Sequence, residues 1–215
     1  LFPYTTLFRS NLMSNVVSVT MLAMSGHLLW LVGLAALFCL TASLAAFRLY
    51  RRGREAGGWG RLPWLLLTGV AAGSGVWATH FIAMLAYQPT IPVGYAAGGT
   101  FLSLGIAIAM TAGAFALAKP GDRVRQVVGG VAFGCGIAAM HYSGMHAFEP
   151  QGRITWDPAY VAVSVSLGLV FAVGAMVVCG DAQQWRRRVS AAGLLTVSIC
   201  CLHFIAMSAV TITPD

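Results

Sequence analysis

The amino-acid sequence predicts an all-α integral membrane protein whose six transmembrane helices form three parallel two-helix repeats. The first observation is composition, because 58% of the 215 residues are hydrophobic and only 9% are charged, against about 25% charged in soluble domains. The second is a set of six long apolar segments. The third is a histidine that recurs at His80, His141 and His203, at intervals of 61 and 62 residues. A regular interval of this kind indicates an internal repeat.

Each apolar segment is long enough to cross a bilayer, which takes about 20 residues in a helix. A chain in lipid must satisfy its own backbone hydrogen bonds, so helix is the expected structure. The predicted spans are Ser25–Phe47, Leu62–Ala86, Val93–Ala118, Val124–Phe148, Tyr160–Cys179 and Val189–Val210. Each repeat contains two spans, so all three repeats have the same orientation in the membrane.

The chain divides into three parts. Residues 1–10 read LFPYTTLFRS, which matches the translated sequence of a common sequencing-library adapter, and we interpret them as an artefact. Residues 11–24 form an N-terminal lead. Residues 25–211 form the six-helix membrane domain.

The charges of the connecting loops predict the topology. Loops one, three and five, which follow the first, third and fifth spans, hold eleven Arg and Lys residues, whereas loops two and four hold only Arg153. The positive-inside rule therefore places the three basic loops in the cytoplasm of a bacterial inner (plasma) membrane and both ends of this chain outside. The net charge of +7 thus reflects topology, and we expect the lipid bilayer, with no nucleic acid, as partner.

The three histidines occupy the same helical face as small residues. Gly69 and Gly73 precede His80 by eleven and seven positions, and Gly130 and Gly134 precede His141 in the same way. Residues at these intervals share one face of a helix, and small residues mark close packing between membrane helices. We therefore expect the histidines to face the bundle interior. At 1.5 Å per residue, His80 lies about 27 Å along its helix from the cytoplasmic end, in the outer part of the membrane.

A methionine follows each histidine by four residues and so lies one turn further out. Neutral imidazole and thioether together favour copper, especially Cu(I). The predicted ligands from this spacing are His80, Met84, His141, Met145, His203 and Met207. The aromatic residues directly after the histidines are expected to shape the pocket, and these are Phe81, Tyr142 and Phe204.

Other interpretations stay open. A membrane histidine can be a hydrogen-bonding strut between helices. Two histidines on facing helices could ligate a haem, giving a membrane redox protein. A small metal or cation transporter is a further alternative, although it needs a polar route to the cytoplasm. His27 and His146 lie near the same outer side without an assigned role. No nucleophile or nucleotide-binding motif is present, so we do not expect an enzyme.

The run MHYSGM at Met140–Met145 resembles the MHYT domain, a bacterial membrane sensor module. The runs THFIAM at Thr79–Met84 and LHFIAM at Leu202–Met207 are similar to its other repeats, as are the loop sequences PVGY and DPAY. The resemblance covers nearly the whole membrane domain. It adds Met140, directly before His141, to the predicted ligands, although Thr79 and Leu202 replace this methionine in the other repeats.

The resemblance implies a sensor that binds copper near the outer face. Its ligand would be a diatomic gas (oxygen, carbon monoxide or nitric oxide) or the redox state of the surroundings. It also implies an output through a cytoplasmic cyclic-di-GMP enzyme or kinase. The chain ends at Asp215 without such a domain, which suggests either a truncated or a stand-alone module.

Overall fold

The computed structural model describes residues 29–87, 92–180 and 184–214. Its long helices are α1 (Leu29–Ala56), α2 (Arg61–Ala86), α3 (Ala97–Leu117), α4 (Arg123–His146), α5 (Pro158–Gly180) and α6 (Trp185–Ser208). All six are long and apolar enough to cross a membrane, so the predicted all-α multi-pass architecture is confirmed. The adapter-like segment, the N-terminal lead and His27 lie outside the described residues.

Two short antiparallel strand pairs replace three predicted helix ends. Strand β1 (Val93–Tyr95) pairs with β2 (Phe148–Pro150), and β3 (Gly152–Trp156) pairs with β4 (Val210–Pro214). The predicted start of the third helix at Val93 and the ends of the fourth and sixth at Phe148 and Val210 were therefore wrong. Short apolar runs do not distinguish helix from strand, and these residues find their backbone partners in distant parts of the chain.

Helix α1 continues nine residues beyond its predicted end at Phe47. The additional residues are mostly good helix formers, and Arg51 Nε lies 3.3 Å from Glu55 Oε1 one turn later. The helix stops where Gly57 and Gly58 adopt φ angles of 61° and 46°, which side chains disfavour. The first half of loop one is therefore helical.

The six helices pack as a ring in which each contacts the next and α6 returns to α1. Helices α2, α4 and α6 also contact one another across the centre, α2 with α4 and α4 with α6. In their most apolar stretches 44–50% of the residues are buried, against 28% in α1, α3 and α5. The histidine-bearing helix of each repeat is thus the inner one, and its partner is the outer one.

The predicted close packing of the small residues is confirmed. A Cβ atom added to Gly73 would lie 2.6 Å from Ile108 Cα, and one added to Gly134 would lie 2.9 Å from Leu169 Cα. Backbones can approach this closely only without side chains between them. Each of these glycines therefore packs an inner helix against the outer helix of the following repeat.

Contacts between loops define two ends of the bundle. One end carries the basic loops and is called the inner end, and the opposite one is called the outer end. At the inner end, the Arg48 guanidinium lies 5.4 Å from the centre of the Trp185 ring, and Tyr50 donates a hydrogen bond to the Ala118 carbonyl at 2.7 Å. These contacts join loops one, three and five. At the outer end, the strand pairs join loops two and four to the segment after α6. The two ends match the basic and non-basic loops of the sequence.

Candidate metal centre

Three buried histidines meet on the axis of the bundle. His80 Nδ1 lies 3.1 Å from His203 Nδ1 and 3.2 Å from His141 Nδ1, and one ring nitrogen from each of the three lies within 4.8 Å of the others. The ring centroids form a nearly equilateral triangle with sides of 5.0, 5.1 and 5.3 Å. The side chains are 2%, 1% and 5% exposed. The histidine triad is therefore a single constellation supplied by α2, α4 and α6.

A small residue three positions after each histidine leaves room for the triad. These residues are Ala83, Gly144 and Ala206, and all three are buried. A Cβ atom added to Gly144 would lie 2.9 Å from His80 Nε2. Gly144 therefore sets the position of the His80 ring from a neighbouring helix. We did not predict this role, although the small residue shared by all three repeats was a visible signal.

The ring nitrogens fit a shared metal ion better than they fit one another. A neutral imidazole nitrogen carries either one proton or one lone pair. His80 Nδ1 can therefore not make two full hydrogen bonds to the two nitrogens beside it. Nitrogens that bind one ion tetrahedrally at about 2.0 Å lie about 3.3 Å apart, and the two separations at His80 Nδ1 are 3.1 and 3.2 Å.

The Nε2 atoms of two rings have no hydrogen-bond partner in the described part of the chain. His80 Nε2 and His141 Nε2 are buried, and no described residue bonds to either atom. A histidine retained as a strut would use both nitrogens, since leaving a buried polar group unpaired costs about 1–3 kcal/mol. Burial of these two unpaired nitrogens is therefore unfavourable in free energy, and a purely structural role does not explain it.

Three of the four predicted methionine ligands form one cluster beside the triad. Met84, Met145 and Met207 pack with Phe148 in a buried group, separate from the main core. Residues of the strand pairs and of the α2 end cover it, namely Tyr87, Ile154, Trp156, Val210 and Ile212. Met140 instead packs in the main core with Phe133 and Ile137. The three methionines that follow the histidines by four residues thus lie together, and Met140 lies in a different cluster.

The predicted aromatic residues wall the triad. Phe81, Tyr142 and Phe204 each present a T-shaped contact to the preceding histidine, with ring centroids 4.8, 5.0 and 5.1 Å apart. The Tyr142 hydroxyl shares a 3.1 Å hydrogen bond with Ser164 on α5. All three rings are partly buried. That they shape a ligand site stays a prediction.

A cleft of about 370 Å³ leads from the outer end towards this wall. Its lining residues are Tyr142, Met145, His146, Phe148, Ile154 and Trp156. His146 is exposed and does not belong to the triad. Tyr95, which stacks against Phe81 and Phe148, lies just outside the membrane spans, and burial raises the pKa of its phenol. Tyr95 therefore stays neutral and contributes an apolar ring beside the site.

The repeat that carries the triad matches a known family. A family model described as "Bacterial signalling protein N terminal repeat" (MHYT) matches residues 73–130 and 134–192, together more than half of the chain. The two matched ranges begin 61 residues apart, which is the separation of His80 and His141. The family repeat therefore has the same period as the structural repeat, and its two matched ranges contain His80 and His141.

Curated relatives are bacterial signalling proteins. An "Uncharacterized signaling protein" of Caulobacter vibrioides is 47% identical over 88% of this chain and 24% of its own length. The "Bifunctional diguanylate cyclase/cyclic di-GMP phosphodiesterase MucR" of Pseudomonas aeruginosa is 32% identical over 83% of this chain and 27% of its own. The "Cyclic di-GMP phosphodiesterase NbdA" of the same organism is 32% identical over 85% and 24%. This chain thus spans about a quarter of their length. No solved structure matches.

Proposed function

Because the chain belongs to the MHYT family of bacterial signalling proteins, as its motifs predicted, we propose that it is a non-catalytic membrane sensor that binds copper at the histidine triad. The sensed signal is a diatomic gas (oxygen, carbon monoxide or nitric oxide) or the redox state outside the cell. The observation that carries this proposal is the convergence of three buried imidazole nitrogens within 4.8 Å. Bound copper would supply an open coordination position for a small ligand or a change of oxidation state.

The residues of the chain divide the work of such a site. His80, His141 and His203 would hold the ion, and the three clustered methionines are the nearest group of soft ligands on the outer side. The aromatic wall excludes lipid and water. The outer cleft, which reaches Tyr142 and Met145, offers an approach from the periplasmic face.

The signal would pass along the inner helices. Each histidine lies on a helix that runs without interruption to the inner end, where α2, α4 and α6 begin at Arg61, Arg123 and Trp185. A change in the ligands of one shared ion therefore acts on all three helices together. The positive-inside rule places the basic inner end in the cytoplasm and both ends of the chain outside an inner membrane. The output would therefore be cytoplasmic.

The output partner we propose is a cyclic-di-GMP enzyme or a kinase. Relatives named as cyclic-di-GMP enzymes carry about three quarters of their length outside the matched region. Strand β4 lies at the outer end, so an enzyme that follows it would reach the cytoplasm through one further crossing. A separate partner chain is the other possibility.

The distances between the triad nitrogens suit one shared ion better than a haem, and the packed core argues against a transporter. Axial haem ligands lie on opposite faces of a porphyrin with nitrogens about 4 Å apart, whereas two triad nitrogens are 3.1 Å apart. A transporter needs a polar route, but the core on the inner side holds the rings of Phe47, Phe115 and Phe133, which pack edge to face. An absorption spectrum tests the first alternative, because haem gives a Soret band and Cu(I) does not.

Copper content of the purified protein tests the proposal. Wild type should retain copper after dialysis, and a His80→Ala, His141→Ala, His203→Ala variant that still inserts should lose it. Cys179→Ala is the matched control, since Cys179 is another buried soft ligand but lies at the inner end beside Gln126 and Met176. Equal copper in wild type and the triple variant would leave the histidines as packing residues only.

A further inference from the structure

A second candidate site lies at the opposite end of the bundle. A cleft of about 300 Å³ opens at the inner end between α1, the start of α2 and the loop after α3. Its lining residues are Tyr50, Arg54, Gly57, Gly58, Arg61, Ala118, Lys119 and Pro120. Three cations from three separate parts of the chain therefore face one space, and no carboxylate lines it among the described residues.

Two carboxylates close in sequence to the lining residues, Glu55 and Asp122, have other partners. Glu55 pairs with Arg51 at 3.3 Å. Asp122 caps α4 by accepting a hydrogen bond from the Arg125 backbone N–H at 3.1 Å. Arg61 Nε is buried and has no hydrogen-bond partner among the described residues. A buried guanidinium donor without a partner is costly, so an anion in the cleft would stabilise Arg61.

Two glycines line the cleft at the turn between α1 and α2. A Cβ atom added to Gly57 or Gly58 would meet nothing within 4 Å, and their positive φ angles turn the chain from α1 into α2. Arg61 is also the first residue of α2, where the positive end of the helix dipole favours an anion. Tyr50 closes the floor through its hydrogen bond to the Ala118 carbonyl.

We infer that this basic cleft binds a phosphate group, and that the phosphate belongs to an anionic phospholipid of the cytoplasmic leaflet. Guanidinium groups bind phosphate through paired hydrogen bonds, and lysine adds a point charge. Basic pockets between membrane helices on the cytoplasmic side are suited to lipid headgroups. Leu62 and Leu66, directly beyond Arg61, are 52% and 57% exposed, so acyl chains could lie along α2 while the headgroup occupies the cleft. The inference does not depend on copper binding.

Lipid retention by the purified full chain tests this site. Wild type is placed in nanodiscs of phosphatidylcholine with a small fraction of phosphatidylglycerol, and retained phosphatidylglycerol is counted by native mass spectrometry. The cleft variant is Arg54→Gln, Arg61→Gln, Lys119→Gln. The control variant removes the same charge from the same end outside the cleft, and it is Arg52→Gln, Arg123→Gln, Arg186→Gln.

We expect the cleft variant to lose affinity for phosphatidylglycerol by on the order of a hundredfold, because each basic residue near an anionic headgroup contributes about fivefold. The control variant should lose much less. Equal losses in both variants would show non-specific attraction to charge and overturn the inference. Equal retention by wild type and the cleft variant would overturn it as well.

A second arm separates lipid from soluble phosphate. Inorganic phosphate is added to wild type in pure phosphatidylcholine nanodiscs, and thermal unfolding is followed. Stabilisation by inorganic phosphate that the cleft variant lacks would support the phosphate site with a soluble ligand as its source. If neither probe binds, the cleft is not a phosphate site. Both experiments are repeated with Lys119→Glu, which lies at an exposed position and should fold normally. This variant should weaken binding more than tenfold because it reverses one charge.

Discussion

Gly144 offers a test of how tightly the triad is positioned. Gly144→Ala adds one methyl group 2.9 Å from His80 Nε2, about 0.5 Å inside the 3.4 Å at which ordinary van der Waals contact begins. His80 cannot easily move away, since its ring also contacts His141, His203 and Phe81. We therefore expect the imidazole to shift by a few tenths of an ångström.

The magnitude follows from two opposing effects. Overpacking a filled core costs about 1–3 kcal/mol, whereas Gly→Ala within a helix gains about 0.5–1 kcal/mol. The net change in the free energy of unfolding should be a loss of about 0–2.5 kcal/mol. If displacement of His80 appears fully in metal binding, a cost of about 1–3 kcal/mol weakens copper affinity about 5–150-fold.

Gly113→Ala is the matched control. Gly113 lies within α3, and an added Cβ would meet nothing within 4 Å, so this variant gains helix propensity without a clash. Thermal unfolding and copper titration of both variants, well below the unfolding temperature, give the comparison. Ala83 and Ala206 occupy the equivalent positions in the other repeats, so the helix itself accepts alanine there. If Gly144→Ala matched Gly113→Ala in both stability and copper affinity, the geometry derived for the triad would be refuted.

Four further predictions concern the rest of the molecule. Reporter fusions in loops two and four should be active in the periplasm, and cytoplasmic activity there would reverse the topology. Deleting residues 1–10 should leave expression and copper content unchanged, whereas a clear loss would show that the segment is genuine. Ser198→Ala removes a 2.7 Å hydrogen bond to the Gly168 carbonyl and should lower the free energy of unfolding by about 0.5–1.5 kcal/mol, measured against Ser190→Ala on the exposed face of the same helix. Replacing the three clustered methionines by leucine should preserve folding, because the volumes are similar, but lower Cu(I) affinity; unchanged affinity would remove Met84, Met145 and Met207 from the ligand set.

Much of the membrane architecture could be predicted because its signals are local. Hydrophobic length identified six spans, and only their ends shifted, as where α1 continues to Ala56. The 61-residue interval correctly identified His80 and His141 as equivalent, and the pair now lies 3.2 Å apart. The glycine positions correctly indicated the packing faces. Copper, haem and the sensed ligand remain predictions.

The strand pairs could not be predicted from local sequence. Val93 pairs with Pro150 across 57 residues, a contact that exists only because α3 and α4 return the chain to the same end. The same limit applies to Met140, which shares its sequence neighbourhood with His141 but packs in the main core. Helical periodicity predicts which face of α4 Met140 occupies. Its contacts depend on how the neighbouring helices pack against that face.

The sequence by itself determined that the chain crosses a membrane six times, that three repeats share one orientation, and that three histidines lie at similar depth on packing faces. Hydropathy, loop charge and helical periodicity fix these properties segment by segment. Only the tertiary structure decided that His80 Nδ1 lies within 3.2 Å of the Nδ1 atoms of His141 and His203, that Gly144 lies against His80, and that basic residues from three segments line one inner cleft. Those properties depend on which helices are neighbours and how closely they approach, because distances between side chains are set by packing across the bundle.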